Sequence, residues 1–262
     1  MYEDIPAEKE SSNSIEREDI LRAQQFLKDT YNKELRENGK VTPELVKENT
    51  DHAERVAENA RWIAENEFLD INKLELAAIC HDCGKLRSAH PGGIDTFEHH
   101  ITGARMTYEF LRDLGKSPAL SEEIRDMIMA HSAIPFIKRW ADENEVGLPE
   151  PTTPEEFALR DADLLDQIDI WGFKKIIEIR QMPDGDFYAQ DGGNIRKAMA
   201  SAEQSAKEAK EQLHTETAKK IAASYEKRWQ KLVDALRDAE VTSIEEFREV
   251  FQKILSQSLD KN

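Results

Sequence analysis

The chain has 262 residues and a formal net charge of −17, with only 11 glycines and 9 prolines. This length allows one large domain or one domain with a helical appendage, and the shortage of helix-breaking residues favours helices. The acidic balance argues against binding long nucleic acid or an anionic membrane surface. No apolar run reaches the roughly 18–20 residues needed to span a bilayer. With a polar, acidic N-terminus and only two cysteines, we expect a cytoplasmic protein.

The first half of the chain is predicted to be a succession of helices. Residues 1–14 are polar and are expected to be flexible. The helices are expected over approximately 15–38, 42–67, 72–83, 98–114 and 121–131. Thr42 is the predicted cap of the second of these, with Pro43 at its first position. The Gly/Pro loop at 84–97 is unusually long for a compact domain, which is typical of a functional loop.

The second half of the chain is also predicted to be helical, but it differs in composition. A helix over about 154–170 is expected to continue past a bend at Gly172. Residues 195–238 are rich in Ala, Lys and Glu, and their apolar residues recur in steps of three and four, as in a long helix. Ser243 and Glu246 form a capping box for a final helix. Because no strand pattern of any length is found, the predicted fold class is all-α.

The histidines are concentrated in one part of the chain. Six of the seven lie between residues 52 and 131. Those on inward faces of predicted helices are His52, His81, His99 and His131. One inward histidine is usually a hydrogen-bonded core residue, but four of them, with Asp82 and the later "DAD" at 161–163, would be costly to bury without a partner. A metal ion removes that cost by coordinating neutral imidazoles and carboxylates.

The order of these residues resembles the metal-binding signature of the HD-domain superfamily of metal-dependent phosphohydrolases. The signature residues are His52, then His81 with Asp82, then Asp163. The segments "AAICHDCGK", "HHITGARMTYEFL", "IMAHS" and "LRDADLLDQ" are similar to successive helices of that family. The resemblance spans roughly residues 44–172, and its strength lies in the ordered set, since a bare His-Asp pair means little.

The resemblance implies an HD-type helical bundle with a C-terminal long-helix extension. On this basis residues 1–14 are expected to be a flexible N-terminus and residues 15–182 an HD-type metal-binding domain, with its motif core at 44–172. Residues 183–262 would form the C-terminal helical extension.

The resemblance also implies roles for six residues. The primary metal ligands it implies are His52, His81, Asp82 and Asp163. In the family this Asp can bridge a second ion, whose further ligands would here be His99 and His131. Ser132 stands where two-metal members often have a second histidine, so the number of metal ions, one or two, stays open. A mixed His/carboxylate set suits manganese, iron, nickel or zinc, and manganese is our first expectation.

Several neighbouring residues have competing interpretations. Asp161 competes with Asp163 for the ligand role, and the "ADxL" context favours Asp163. Asp161 would then be a structural or solvated carboxylate, as would Asp166 and Asp169. Cys80 and Cys83 could be a redox pair, but the helical surroundings favour two small apolar fillers. 

Phosphate transfer at such a site needs cations as well as a metal. A divalent ion lowers the pKa of bound water enough to supply a nucleophile near neutral pH. The candidate substrate-binding residues are Lys85, Arg87, His90 and Arg105, since they could neutralise a phosphate under attack. The candidate catalytic residues are Asp82, Lys85 and His131, where His131, or alternatively His99, would protonate the leaving oxygen if it is not a ligand.

The resulting hypothesis is a metal-dependent phosphohydrolase that cleaves a phosphomonoester or phosphodiester, with a nucleotide as the leading substrate, through a metal-activated water. The absence of a "GYP" sequence argues against a cyclic dinucleotide phosphodiesterase, and Lys85 replaces the Glu typical of the family's deoxynucleoside monophosphatases. The alternatives are a di-iron HD-type oxygenase and a non-catalytic HD-like binding module. A homodimer through the C-terminal helices also stays open.

Overall fold

The computed structural model describes residues 12–87, 99–131, 148–181 and 195–259. Within these ranges it contains ten α-helices and no strand, which confirms the all-α class. The helices are α1 (Arg17–Glu37), α2 (Pro43–Glu67), α3 (Ile71–Cys80), α4 (His99–Asp113), α5 (Pro118–Ala130), α6 (Pro154–Ile168), α7 (Ile170–Gln181), α8 (Ile195–Glu211), α9 (Glu216–Asp238) and α10 (Ile244–Leu259). None of them is long and apolar enough to cross a membrane.

Capping side chains set most of the helix starts. Thr42 accepts a hydrogen bond from the backbone N–H of Leu45, as predicted for α2. Helix α5 begins three residues earlier than expected, at Pro118, because Ser117 caps it. In the N-terminal segment, the N–H of Ser12 donates to the carbonyl of Gly115 at 3.1 Å, so the expected flexibility does not extend to this residue. Residues 1–11 lie outside the described residues.

Two predicted helices are each divided in the structure. The expected bend at Gly172 lies instead at Asp169, which has an extended backbone and separates α6 from α7. The Ala-rich stretch 195–238 is two helices, α8 and α9, because Thr215 accepts a hydrogen bond from the N–H of Ala218 and starts a new one. A short polar cap thus interrupts a continuous apolar periodicity.

The buried side chains form two hydrophobic clusters. The first cluster contains residues from each of the helices α1 through α6, with residues near the α8–α9 junction such as Leu213 and Ile221. The second cluster contains residues from each of the helices α7 through α10 and is centred on Phe173, Phe247 and Phe251. The C-terminal helices therefore contribute to both clusters, while the division of the chain at residue 182 stays a prediction.

Helix α3 is the innermost element of the first cluster. Every residue from Leu74 to Cys80 is buried, because all of them are apolar except Glu75, which forms an ion pair with Arg17 of α1. It packs against α1, α2, α5 and α6. The residues that follow its last turn, His81 and Asp82, are consequently placed in the interior of the bundle, where they are 0% and 2% exposed.

Candidate metal centre

The turn after α3 is held in place by two contacts with its neighbours. The buried hydroxyl of Tyr31 in α1 donates to the backbone carbonyl of Asp82 at 3.0 Å. On the other side, a Cβ added to Gly84 would lie 2.7 Å from both the backbone N of Gly103 and the backbone O of His99. The turn can approach α4 this closely only because residue 84 is glycine. These contacts fix Asp82 relative to α1 and α4.

The structure brings the four predicted primary ligands together. Nε2 of His52 lies 3.3 Å from Oδ2 of Asp82, 3.4 Å from Oδ1 of Asp163 and 3.3 Å from Nε2 of His81. Nε2 of His81 lies 3.5 Å from Oδ2 of Asp82 and 3.8 Å from Oδ1 of Asp163. Two ligand atoms on one transition-metal ion, each at about 2.0–2.2 Å from it, are typically separated by distances of this order. The donor set therefore fits a divalent metal ion.

Hydrogen bonds at Nδ1 orient the histidine rings so that Nε2 faces the cluster. Nδ1 of His81 lies 2.6 Å from the carbonyl oxygen of Ala78, and Nδ1 of His131 bonds to the carbonyl oxygen of Ile128. A carbonyl can only accept, so Nδ1 must carry the proton in both rings. Nδ1 of His52 is likewise 2.7 Å from a carboxylate oxygen of Asp166. This is the arrangement in which metal-binding histidines are usually held.

The two oxygens of Asp82 face different groups. Oδ2 is the oxygen near His52 and His81, whereas Oδ1 lies 3.1 Å from Nε2 of His99 and 4.0 Å from Nε2 of His131. His81, Asp82 and His131 form a second group whose ligand atoms all lie within 4.8 Å of one another. The two oxygens of Asp82 are thus directed at two different sets of histidines, as expected of a bridging carboxylate.

The electrostatics of the cluster favour neutral histidines beside ionised carboxylates. Burial lowers the pKa of His81 and that of His131, the latter to about 3. Burial also opposes ionisation of Asp82, but Lys85 and the histidines outweigh it and hold the pKa of Asp82 well below its usual range. His52 differs, because the surrounding carboxylates overcome the effect of burial and raise its pKa to about 10. A metal ion would have to displace that proton from His52.

Lys85 lies directly beside the cluster, as the sequence predicts. Its ammonium group forms an ion pair with Oδ2 of Asp82. The side chains of Lys85 and Asp163 are 25% and 16% exposed, whereas those of His52, His81 and Asp82 are 6% exposed or less. Lys85 and Asp163 therefore mark the side on which the cluster opens to solvent.

The other predicted substrate-binding residues are placed differently. Nε of Arg87 lies 3.6 Å from a carboxylate oxygen of Glu34 in α1, and its Nη1 is close to the sulfur of Met106. Arg105 is exposed on α4, and within the described ranges no hydrogen bond or ion pair joins it to the cluster. His90 lies outside the described residues. The geometry thus supports Lys85 among these four, and the remaining roles stay predictions.

Asp161 and Asp163 point in different directions, although they are only two residues apart. Two residues advance a helix by about 200°, so side chains at this spacing cannot share a face. Both carboxylate oxygens of Asp161 accept hydrogen bonds from the N–H of His214 at 3.0 Å, and one accepts from the N–H of Thr215 at 2.6 Å. Asp161 is therefore a structural carboxylate at the start of α9, as the preference for Asp163 requires.

Asp166 and Asp169 are also structural carboxylates, and Asp166 acts on the cluster through His52. Asp166 accepts a two-pronged hydrogen bond from the guanidinium of Arg55 in addition to its bond with His52. Asp169 forms an ion pair with Arg228 of α9. The sequence analysis did not identify Arg55 or Tyr31. For Arg55 a signal was available, because it lies three residues after His52 on the same face of α2.

Both cysteines are reduced and buried in the structure. Burial raises the pKa of the Cys83 thiol to about 12 and raises that of Cys80 as well. The Cys83 thiol lies 3.5 Å from the carbonyl oxygen of Gly103. These are inert packing thiols, which agrees with their interpretation as small apolar fillers.

Comparisons with known proteins identify the domain that carries this cluster. The HD domain family matches residues 49–168. Similar solved structures include a predicted HD superfamily hydrolase from an uncultured Thermotogales bacterium, with 21% identity, a TM-score of 0.50 and coverage of 82% of this chain and 88% of that one.

Two further solved structures extend the likeness. Bacillus subtilis YpgQ in complex with ADP shows 19% identity and a TM-score of 0.52, over 84% of this chain and 96% of that one. A Lactobacillus plantarum protein shows 18% identity and a TM-score of 0.54, over 86% and 98%. No curated protein matches the sequence. At these identities the solved structures support the fold alone, and the family match identifies the domain. The chain therefore contains an HD domain at residues 49–168.

Proposed function

We propose that this protein is a metal-dependent phosphohydrolase that acts on a phosphomonoester or phosphodiester, with a nucleotide as its substrate. The HD domain at residues 49–168 supports the general class. The observation that carries the proposal is the convergence of His52, His81, Asp82 and Asp163 on one point, with the cation of Lys85 beside them. The ADP bound to YpgQ, which shares this fold, favours a nucleotide.

Some residues of the cluster would bind the metal ion, and others would bind the substrate. The chemistry that a bound divalent ion supplies is acidification of a coordinated water. His52, His81, Asp82 and Asp163 would hold that ion. Lys85, at the open side of the cluster, would contact the phosphate and stabilise the negative charge that develops during attack.

His131 would act in one of two ways. Its pKa of about 3, lowered by burial and by His81, means that it is neutral at physiological pH. A neutral imidazole is suited to metal coordination, and the position of His131 near Oδ1 of Asp82 supports a second ion held also by His99. The role of general acid would require His131 to gain a proton, which its surroundings oppose.

The second group of candidate ligands is also compatible with an oxygenase, which is the alternative function. A site in which Asp82 bridges two ions, completed by His99 and His131, would also suit two irons. The alternatives differ in metal content and in reaction, because an oxygenase would need iron and would consume oxygen. Both readouts can be taken on the same preparation.

The test is hydrolysis of a panel of nucleotides by the full chain, stripped with chelator and reconstituted with Mn²⁺. We expect release of phosphate or nucleoside only after metal is restored. Asp82→Ala should lose both bound metal and turnover while its helical circular dichroism is retained. The matched control is Asp126→Ala, since Asp126 is exposed and pairs only with its neighbour Arg125 on α5.

The outcomes separate the candidate functions. Turnover that depends on metal, and is absent from Asp82→Ala but present in Asp126→Ala, would support the phosphohydrolase. If the protein binds metal but hydrolyses no member of the panel, the proposal is wrong, and iron content with oxygen consumption then tests the oxygenase. If Asp82→Ala keeps its metal and its turnover, the site has been assigned to the wrong residues.

A further inference from the structure

Helix α7, which follows the family match, is held tightly against the end of α6. A Cβ added to Gly172 would lie 2.5 Å from the Cα of Gln167 and 2.6 Å from the backbone O of Asp166. Backbone atoms cannot move aside as a flexible side chain can, so this close approach requires glycine. Because α6 carries Asp163 and Asp166, the start of α7 is fixed beside the metal-binding cluster.

The two sides of α7 face different parts of the molecule. Phe173 and Ile177 are 1% and 0% exposed and belong to the second hydrophobic cluster. Lys175 lies between them in sequence, and at two residues' distance its side chain points about 200° away from each. Trp171, one turn before Lys175, contacts both parts: its ring centre lies 5.5 Å from that of Phe251 in the second cluster and 5.3 Å from the guanidinium of Arg55. The side of α7 that carries Trp171 and Lys175 therefore reaches Arg55, which lies three residues after His52 on α2.

Charged groups at and near the cluster act electrostatically on the ammonium group of Lys175. They are Lys85, Glu48, Asp82 and Asp166. Lys175 is half-buried, and among the described residues no hydrogen bond or ion pair to its ammonium group is found. Burial, followed by repulsion from Lys85, lowers its pKa.

The neighbouring lysine shows how unusual this situation is. Lys174 forms an ion pair with Glu178 one turn later at 2.5 Å, and Lys85 forms one with Asp82. Lys175 has a like charge as its strongest electrostatic neighbour and no carboxylate within pairing distance in the described ranges. Partial burial of a cation without such a partner is unfavourable, and an anionic ligand between Lys175 and Lys85 would relieve it.

We infer that Lys175 is a substrate-binding residue, which with Lys85 binds the phosphate of the substrate at the open side of the cluster. This inference rests on the proposed phosphohydrolase function. It gives the helices beyond the HD domain a role in the reaction, because α7 is anchored in the second hydrophobic cluster and places a cation at the site. Lys85 would contact the phosphate from the turn after α3, and Lys175 from the opposite side.

The experiment compares Lys175→Ala, Lys175→Arg and the matched control Lys174→Ala in the full chain loaded with Mn²⁺. Steady-state kinetics use the nucleotide that the unmodified protein hydrolyses best. Calorimetric titration with inorganic phosphate gives a second readout that does not depend on turnover. For Lys175→Ala we expect KM and the Kd for phosphate to rise about tenfold, as for loss of one charge-assisted hydrogen bond. Mn²⁺ content should be unchanged, and Lys175→Arg should restore most of the affinity.

Several results would overturn the inference. They are a KM and a phosphate Kd within twofold of the unmodified protein in Lys175→Ala, an equal effect of Lys174→Ala, or a loss of Mn²⁺ that accompanies the loss of affinity. Failure of the proposed function would look different, because the unmodified protein would then hydrolyse no nucleotide. In that case the phosphate titration still decides whether Lys175 binds the anion.

Discussion

Asp166 accepts a hydrogen bond from Nδ1 of His52 at 2.7 Å, and this bond turns Nε2 of the ring towards Asp82 and Asp163. Arg55 holds the same carboxylate from the other side. Asp166 is 4% exposed, and Arg55 and His52 together hold its pKa well below the usual range in spite of burial. The orientation of His52 therefore depends on a carboxylate that does not itself face the candidate metal.

We predict that Asp166→Ala weakens metal binding without removing a ligand. Loss of an outer partner of a metal-binding histidine typically costs about 10–100-fold in affinity or activity. Asp166→Asn should cost less, because its amide oxygen can still accept a hydrogen bond from the Nδ1–H group of His52. The measurement is Mn²⁺ or Zn²⁺ affinity by competition with a chelating dye. If Asp166→Ala binds metal as tightly as Asp126→Ala, the orientation of His52 does not depend on Asp166.

The sequence is sufficient to predict the helical class and the ordered set of candidate ligands, because both depend on patterns within single helices. The four inward histidines follow from helical periodicity, and Thr42 with Pro43 locates the start of α2. The position of the break in 195–238 was missed, since a single cap, Thr215, interrupts an otherwise uniform apolar pattern.

Contacts between helices that are far apart in the chain could not be predicted from the sequence. Asp161 and Asp163 lie on opposite faces of α6, but only the packing of α6 decides which face meets α3 and which meets the start of α9. The same holds for Lys175, whose charged neighbours come from α2, α6 and the turn after α3. Local propensity carries no information on such pairings, which depend on how whole helices dock.

Asp161 and Asp163 should give opposite phenotypes. Asp161→Ala leaves the N–H groups of His214 and Thr215 without their carboxylate acceptor in a partly buried position, and we expect it to lower the free energy of unfolding by about 1–3 kcal/mol. Metal content at saturation should be unchanged. Asp163→Ala should lose metal, while the metal-free chain keeps its stability, because one of several crowded carboxylates has been removed. Urea unfolding and metal analysis of both variants check this prediction. A loss of metal in Asp161→Ala alone would mean that Asp161 is the metal ligand and Asp163 the structural carboxylate.

Lys85→Ala should impair turnover but not metal binding. The lysine is paired with Asp82 and partly exposed at the opening, so that its cation can be shared with an incoming phosphate. Loss of one stabilising group for developing charge costs about 10²–10³ in kcat. We expect a decrease of this size with full metal occupancy, measured by kinetics and metal analysis on one preparation. Lys47→Ala is the control, since Lys47 is exposed on α2. A loss of metal from Lys85→Ala would instead show that Lys85 maintains the geometry of Asp82.

Gly84→Ala should destabilise the fold and disturb the metal-binding cluster together. The added methyl group would meet backbone atoms of α4 at 2.7 Å, one of them the carbonyl oxygen of His99, so that α4 and the turn after α3 must separate. Overpacking of this kind costs about 1–3 kcal/mol, which corresponds to a decrease in Tm of about 3–10 °C for a chain of this size. Gly39→Ala is the matched control, because no heavy atom lies within 4 Å of its added Cβ. We expect the Tm of Gly39→Ala to be unchanged or slightly higher.

Metal binding should weaken only in Gly84→Ala, because His99 moves with α4. Equal melting temperatures for the two variants would mean that the contact between the turn and α4 is looser than the structure shows.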